Sequence, residues 1–136
     1  MPPLGVARSS FLSLEVPMKT LDQIRAGYAW KRVTSPKPDE KYRNLAKSLP
    51  AMVMTNGLMQ TLAFLEGKGK GEHKRLMEDI LAWLADPAVA ILKDQDFEKA
   101  MSFMTSHMDS QEYQRATEEA LAALKWIRYL AQTVGD

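Results

Sequence analysis

Cysteine is absent from this 136-residue chain, and histidine occurs only twice, at His73 and His107. Without thiols there is no disulfide, no thiolate metal site and no cysteine nucleophile, which fits a reducing interior and a cytoplasmic location. Two histidines are too few for a histidine-rich metal centre, so neither a metal nor a cofactor is expected. No apolar run approaches the roughly 20 residues that span a bilayer. Residues 1–17 hold Arg8 and a short apolar patch, but Glu15 interrupts it and no small-residue cleavage signature follows, so a secretory signal is not indicated. They are expected to form a poorly ordered leader, either a tail or an over-extended start, ahead of a single domain over residues 18–136.

What the chain does have is charge sorted by position. From Lys19 to Arg75 there are 12 Lys or Arg against 5 Asp or Glu, whereas from Leu76 to Asp136 there are 5 against 11. A formal net charge of +1 therefore hides a basic front half and an acidic rear half. Such a chain can hold a polyanion on one side and repel it on the other, or stack head to tail with copies of itself.

The apolar residues repeat at helical spacing. Thr20 with Gln23 has the capping-box pattern, and Leu21, Ile24, Tyr28 and Ala29 follow at three- and four-residue steps up to Arg32. Asp39 opens a second helix with Tyr42, Leu45, Ala46 and Leu49, in which Pro50 either introduces a kink or begins a third helix. Residues 51–66 are apolar on nearly every side, which predicts a central or shared helix. GKGKG at 67–71 is a connector, and a helix over 72–85 follows it. Asp86 and Pro87 predict a short helical segment through Leu92, Asp94 a helix through about Ser106, and Asp109 with Glu112 the last and longest helix. The expected fold is all-α, a single compact irregular bundle of five to seven helices.

Three segments resemble the small α-helical subunit, the fifth, of the type III-B CRISPR effector known as the RAMP module Cmr complex. The central segment has Tyr42, Leu49-Pro50, Asn56-Gly57-Leu58 and Gln60-Thr61-Leu62-Ala63-Phe64; the last helix has Tyr113, Thr117, Glu119-Ala120-Leu121, Leu124, Trp126 and Arg128; the first helix has Arg25-Ala26 and Ala29. The resemblance spans residues 19–134. It implies a non-catalytic subunit, a few copies of which stack as an inner filament beside the RAMP backbone proteins that hold the guide RNA. It further implies that the groove between the filaments receives target RNA, with cleavage by the backbone subunits and nucleotide polymerisation by the large subunit. The expected role is to help hold the guide–target duplex in antiviral defence.

With that resemblance, Arg25, Arg32, Lys41, Arg43, Lys47, Lys68, Lys70 and Arg128 are the candidate RNA contacts. Cations that neutralise phosphates release counterions and supply affinity without reading sequence. A single surface lysine is ordinarily no more than a solvated charge. Trp126, Tyr129 and Leu130 are candidates for a partner interface, with core burial as the alternative. Asn56 and Gln60, four residues apart, are expected to pair structurally, with Gly57 permitting close helix approach; the alternative is that they face a partner. His73 is expected to be exposed, and the nine methionines to fill gaps in the core. Two further readings are a free-standing helical adaptor that binds only protein, and a metal-dependent RNase using Asp94 and Asp96 with Glu98 and His107. For the aspartates a position at a helix start is a sufficient structural explanation.

Overall fold

The computed structural model describes residues 18–135, and the expected leader lies outside the described residues. Among the described residues six α-helices follow one another: α1 (Leu21–Thr34), α2 (Glu40–Asn56), α3 (Leu58–Lys68), α4 (Gly71–Leu84), α5 (Phe97–Ser106) and α6 (Ser110–Thr133). Among the described residues there is no strand. The all-α bundle is as the periodicity predicts, within the expected number of helices.

Local signals set the helix starts. Thr20 and Gln23 form a reciprocal capping box at α1, and Asp109 and Glu112 do the same at α6. Each box satisfies two backbone N–H groups that a helix start otherwise leaves unpaired. Asp39 caps α2, its carboxylate accepting the Tyr42 N–H at 2.9 Å.

Pro50 neither ends α2 nor opens a new helix; it lies buried inside it. The break comes at Gly57, whose backbone has φ 90° and ψ 163°. That region is essentially closed to residues with a Cβ. The Gly57 N–H donates to the Val53 carbonyl at 2.8 Å, and its own carbonyl accepts from the Thr61 hydroxyl at 2.8 Å. Residues 51–66 are therefore not one helix apolar all round. They are the end of one amphipathic helix and the start of another, with Val53, Leu58, Leu62 and Leu65 buried while Met54 and Ala63 are exposed.

The expected short helix after Asp86 is a turn instead. Asp86 accepts the Ala88 N–H on its side chain, and Ala90 adopts φ 54°, which no helix continues through. The next helix is capped by Asp96 rather than Asp94.

The long helix α6 is the axis against which α1 and α2 pack most extensively, while α4 packs on α2, α3 and α6. Ala116, Ala120, Ala123 and Ala131 are buried along it, with Leu124 and Ile127 between them. Small side chains at these positions let neighbouring helices approach closely. The buried residues form one cluster, with Trp83, Tyr42, Leu49, Ile80 and Leu81 among its largest members. Of the methionines, Met77 and Met104 are buried as expected of gap fillers, but Met18 and Met54 are exposed.

Candidate nucleic-acid and partner interface

The basic residues of α1 divide by helix face. Arg25 lies on the side turned to α6, where its guanidinium meets Glu119 through two N–H bonds, one from Nε at 3.0 Å. Glu119 also accepts the Trp83 indole N–H at 3.2 Å. The Arg25 bond, outweighing burial, holds the Glu119 carboxyl below the usual glutamate range. Further along the helix, Arg32 bonds Oδ1 of Asp79 at 2.6 Å, and the Tyr42 hydroxyl donates to Oδ2 of the same carboxylate at 2.7 Å. Asp79 is 1% exposed, and its backbone carbonyl accepts the Tyr28 hydroxyl at 2.6 Å. Burial, reinforced by the Asp79 carboxylate, pushes the Tyr42 phenol far above its ordinary range. Two of the candidate RNA contacts are thus neutralised by acids of the rear half of the sequence.

Arg43 donates to the Pro38 carbonyl at 3.0 Å and packs beside Gly135 near the end of the chain. Lys41 and Lys47 are exposed on α2, about 9 Å apart along its axis. Lys68 and Lys70 are exposed at the α3–α4 connection, where Gly69 closes α3 in a left-handed turn. The Lys68 ammonium lies 5.6 Å from the Phe64 ring centre. Arg128, partly buried, lies over the ring of its neighbour Tyr129. Within the candidate set, the fully exposed cations are therefore the four lysines, on two separate elements.

Three basic residues outside this set hold notable positions. Arg75 clamps the α1–α2 turn, donating to the Arg32 and Pro36 carbonyls while stacking 4.4 Å from the Tyr42 ring centre. Lys19 and Lys31 line an open cleft beside α1. Lys31 lies on α1 four residues after Gly27, whereas Lys19 just precedes the helix.

The aromatic candidates fall on a groove between α1 and α6. Its cavity of about 500 Å³ is lined by Asp22, Glu118, Leu121, Lys125, Trp126 and Tyr129, among others. The Trp126 indole N–H donates to Asp22 at 3.0 Å, which fixes the ring at the groove wall. Tyr129 is 64% exposed, whereas Leu130 is partly buried against the core. Asn56 and Gln60 are both exposed, so the expected buried pairing does not form; Gly57 is needed for its backbone conformation. Tyr113 instead supplies the polar contact there, accepting the Met59 N–H at the start of α3 at 3.0 Å. His73 is not exposed as expected but partly buried, edge-on to Phe64.

The carboxylates of the RNase reading are occupied locally. Asp96 caps α5 by accepting the Lys99 N–H, and Asp94 accepts the Asp96 N–H and pairs with the Lys99 ammonium at 3.4 Å. His107 stacks on Phe103. Among the described residues no cluster of three His, Asp or Glu side chains is placed to hold a metal ion. Nor is any described helix long and apolar enough to cross a membrane.

Residues 21–134 match the family described as CRISPR-associated protein (Cas_Cmr5). The chain is 31% identical over 120 residues to the CRISPR system Cmr subunit Cmr5 of Thermus thermophilus, a match that covers 86% of this chain and 97% of that protein. It is 32% identical over 116 residues to the subunit of the same name from Thermotoga maritima, covering 82% and 81%. The X-ray crystal structure of a CRISPR-associated Cmr5 family protein from Thermus thermophilus matches with a TM-score of 0.70 at 32% identity, over 86% of this chain and 98% of that one. With sequence and fold in agreement over nearly the whole helical region, this chain belongs to the Cmr5 family and is the fifth subunit of a CRISPR Cmr complex.

Proposed function

We propose that this Cmr subunit is a non-catalytic scaffold of a type III-B interference complex, helping to hold the guide–target RNA duplex while other subunits carry out the chemistry. In this reading residues 18–136 act as one unit that stacks with copies of itself as an inner filament. The RAMP backbone proteins and the large subunit are its neighbours. The observation that carries the RNA role is the exposure of Lys41, Lys47, Lys68 and Lys70 on a front half with a large excess of positive charge. Lysines exposed on the surface suit phosphates whose sequence is read by base pairing and not by protein. Arg128 and Arg43 are secondary candidates. Arg25 and Arg32 contribute less, because Glu119 and Asp79 already neutralise them. The α1–α6 groove, with Trp126 and Tyr129, supports a docking edge for a neighbouring subunit.

The test is a reconstituted Cmr complex in which Lys41, Lys47, Lys68 and Lys70 are replaced by Glu. Target-RNA capture is expected to weaken, and the slope of log affinity against log salt to become shallower by about 0.7 to 0.9 for each phosphate that the protein ceases to neutralise. Unchanged capture would leave the lysines as solvated charge alone. Arg25→Glu is unsuitable here, since it would set two carboxylates against each other and report on folding.

A further inference from the structure

Two of the three tryptophans are anchored in the same way. Trp83 donates its indole N–H to Glu119 at 3.2 Å, and Trp126 donates to Asp22 at 3.0 Å. Trp30 breaks the pattern. It is 48% exposed on α1, and its indole N–H has no acceptor among the described residues. Lys31, which follows it, is exposed and has no acid or other polar partner among those residues. An exposed tryptophan beside an unpaired lysine is a pairing found at protein interfaces, where tryptophan carries much of the binding energy.

What Trp30 lacks is present on α5. Glu98, Lys99, Ser102, Phe103 and His107 line a depression of about 420 Å³. Phe103 and His107 stack with ring centres 5.5 Å apart and 8° between their planes, which gives the depression an aromatic wall. Lys99 is paired with Asp94, whereas Glu98, exposed in the first turn of the helix, has no cation bonded to it among the described residues. Aromatic rings beside a carboxylate suit an indole, whose face packs on other rings and whose N–H needs an acceptor once buried. A phosphate backbone is a poor occupant, because the unpaired charge there is negative. Lys31 is opposite in sign to Glu98, so the two surfaces are complementary in charge as well as in shape. They do not meet within one chain: α1 packs chiefly on α6, α5 packs on α3, and Trp30 is not among the residues that line the depression.

We propose that Trp30 of one copy of this chain inserts into the Phe103–His107 depression of the next copy, donating its indole N–H to Glu98 while Lys31 pairs with the same carboxylate. Two different patches meet in this contact, so each copy keeps one patch free for a further neighbour and the contact propagates head to tail. It rests on the stacking role and gives that role a surface separate from the lysines assigned to RNA and from the α1–α6 groove.

Because the chain has no cysteine of its own, introduced thiols report on this contact without background from the subunit. Lys31→Cys and Glu98→Cys chains are assembled, separately and together, into a reconstituted Cmr complex and treated with a short bismaleimide. A covalent dimer of this subunit is expected only when both variants are present, and a ladder of multimers from the doubly substituted chain. Trp30→Ala should weaken association between copies roughly tenfold or more, with little change in the melting temperature of the isolated chain. Lys31→Glu and Glu98→Lys should each lower the number of copies in the complex counted by native mass spectrometry, and the two together in one chain should restore it. A dimer from Lys31→Cys alone, an adduct to a different subunit in place of the dimer, or no adduct at all would overturn the contact. If that result comes with two or more copies still present in each complex, the contact alone falls; if each complex holds a single copy, the stacking role falls with it.

Discussion

Arg25 and Glu119 lie 94 residues apart in the chain and are joined by a two-pronged ion pair that ties α1 to α6. Arg25 is 22% exposed along its side chain and Glu119 is 9% exposed. Removing either partner leaves a largely dehydrated charge without its counterion. Arg25→Met is therefore expected to lower the unfolding free energy by roughly 2–4 kcal/mol, and Arg25→Met with Glu119→Leu to recover part of the loss. Urea denaturation of the single and double variants measures the coupling. The Glu119 carboxyl titrates below its ordinary value of 4.5 in the folded chain. The stability it supplies is complete above that value and is lost as pH falls through the lowered one. Glu119→Gln should accordingly flatten the acid limb of the stability profile.

The Asp79 cluster makes the opposite prediction, at alkaline pH. Tyr28 and Tyr42 are both raised above the ordinary tyrosine value of 10.0, chiefly by burial. Stability from keeping these phenols neutral is whole below that value and is lost as pH rises beyond it. Of the four tyrosines, two are expected to ionise only with unfolding, visible as tyrosinate absorbance that appears together with loss of helical ellipticity. Tyr42→Phe, which deprives an Asp79 oxygen of its donor, should cost about 1–3 kcal/mol.

At the α2–α3 junction, Gly57→Ala is expected to cost about 1–3 kcal/mol from backbone strain. A Cβ there would lie 3.6 Å from the Tyr113 hydroxyl, an ordinary contact, so crowding is not the cause. Tyr113→Phe should cost about 1 kcal/mol and accelerate hydrogen exchange at the Met59 amide. Thermal melts and amide exchange distinguish the two effects.

Replacing Tyr129 by Ala should change the stability of the isolated chain by no more than about 0.5 kcal/mol, since the ring is mostly exposed. In the complex, a docking role for the α1–α6 groove predicts an association roughly tenfold weaker or worse. Pull-down of the remaining subunits by wild-type and variant chains reads the difference.

Asp96→Ala should destabilise the fold by about 1 kcal/mol, the usual effect of losing a helix N-cap. If the two carboxylates serve only in local structure, Asp96 as the cap and Asp94 as partner of the Asp96 N–H and of Lys99, target cleavage by a complex assembled with Asp94→Ala and Asp96→Ala subunits should proceed at the wild-type rate. A loss of cleavage with assembly intact would restore the metal-dependent RNase reading.

The features legible in the sequence are those whose causes are local. Thr20 with Gln23 and Asp109 with Glu112 announce their helices, because a capping box is made within one turn of chain. The apolar spacing predicts the all-α architecture for the same reason. Pattern and structure part where one residue's conformation overrides its neighbours. Gly57 splits a continuous apolar run, and Ala90 adopts a left-handed backbone that turns an expected helix into a bend. Burial of Asn56 and Gln60 follows only from a single unbroken helix across that run.

The sequence alone determined the all-α class, the uneven distribution of charge and the family, because spacing, composition and motif order are properties of neighbours along a chain. Which cations remain available was decided by the tertiary structure. Arg25 and Arg32 share the α1 face that turns inward to Glu119 and Asp79, while Trp30 and Lys31 of the same helix are exposed to solvent. Partners 94 and 47 residues distant meet only when helices pack, and an acid within hydrogen-bonding reach changes what an arginine offers to any ligand.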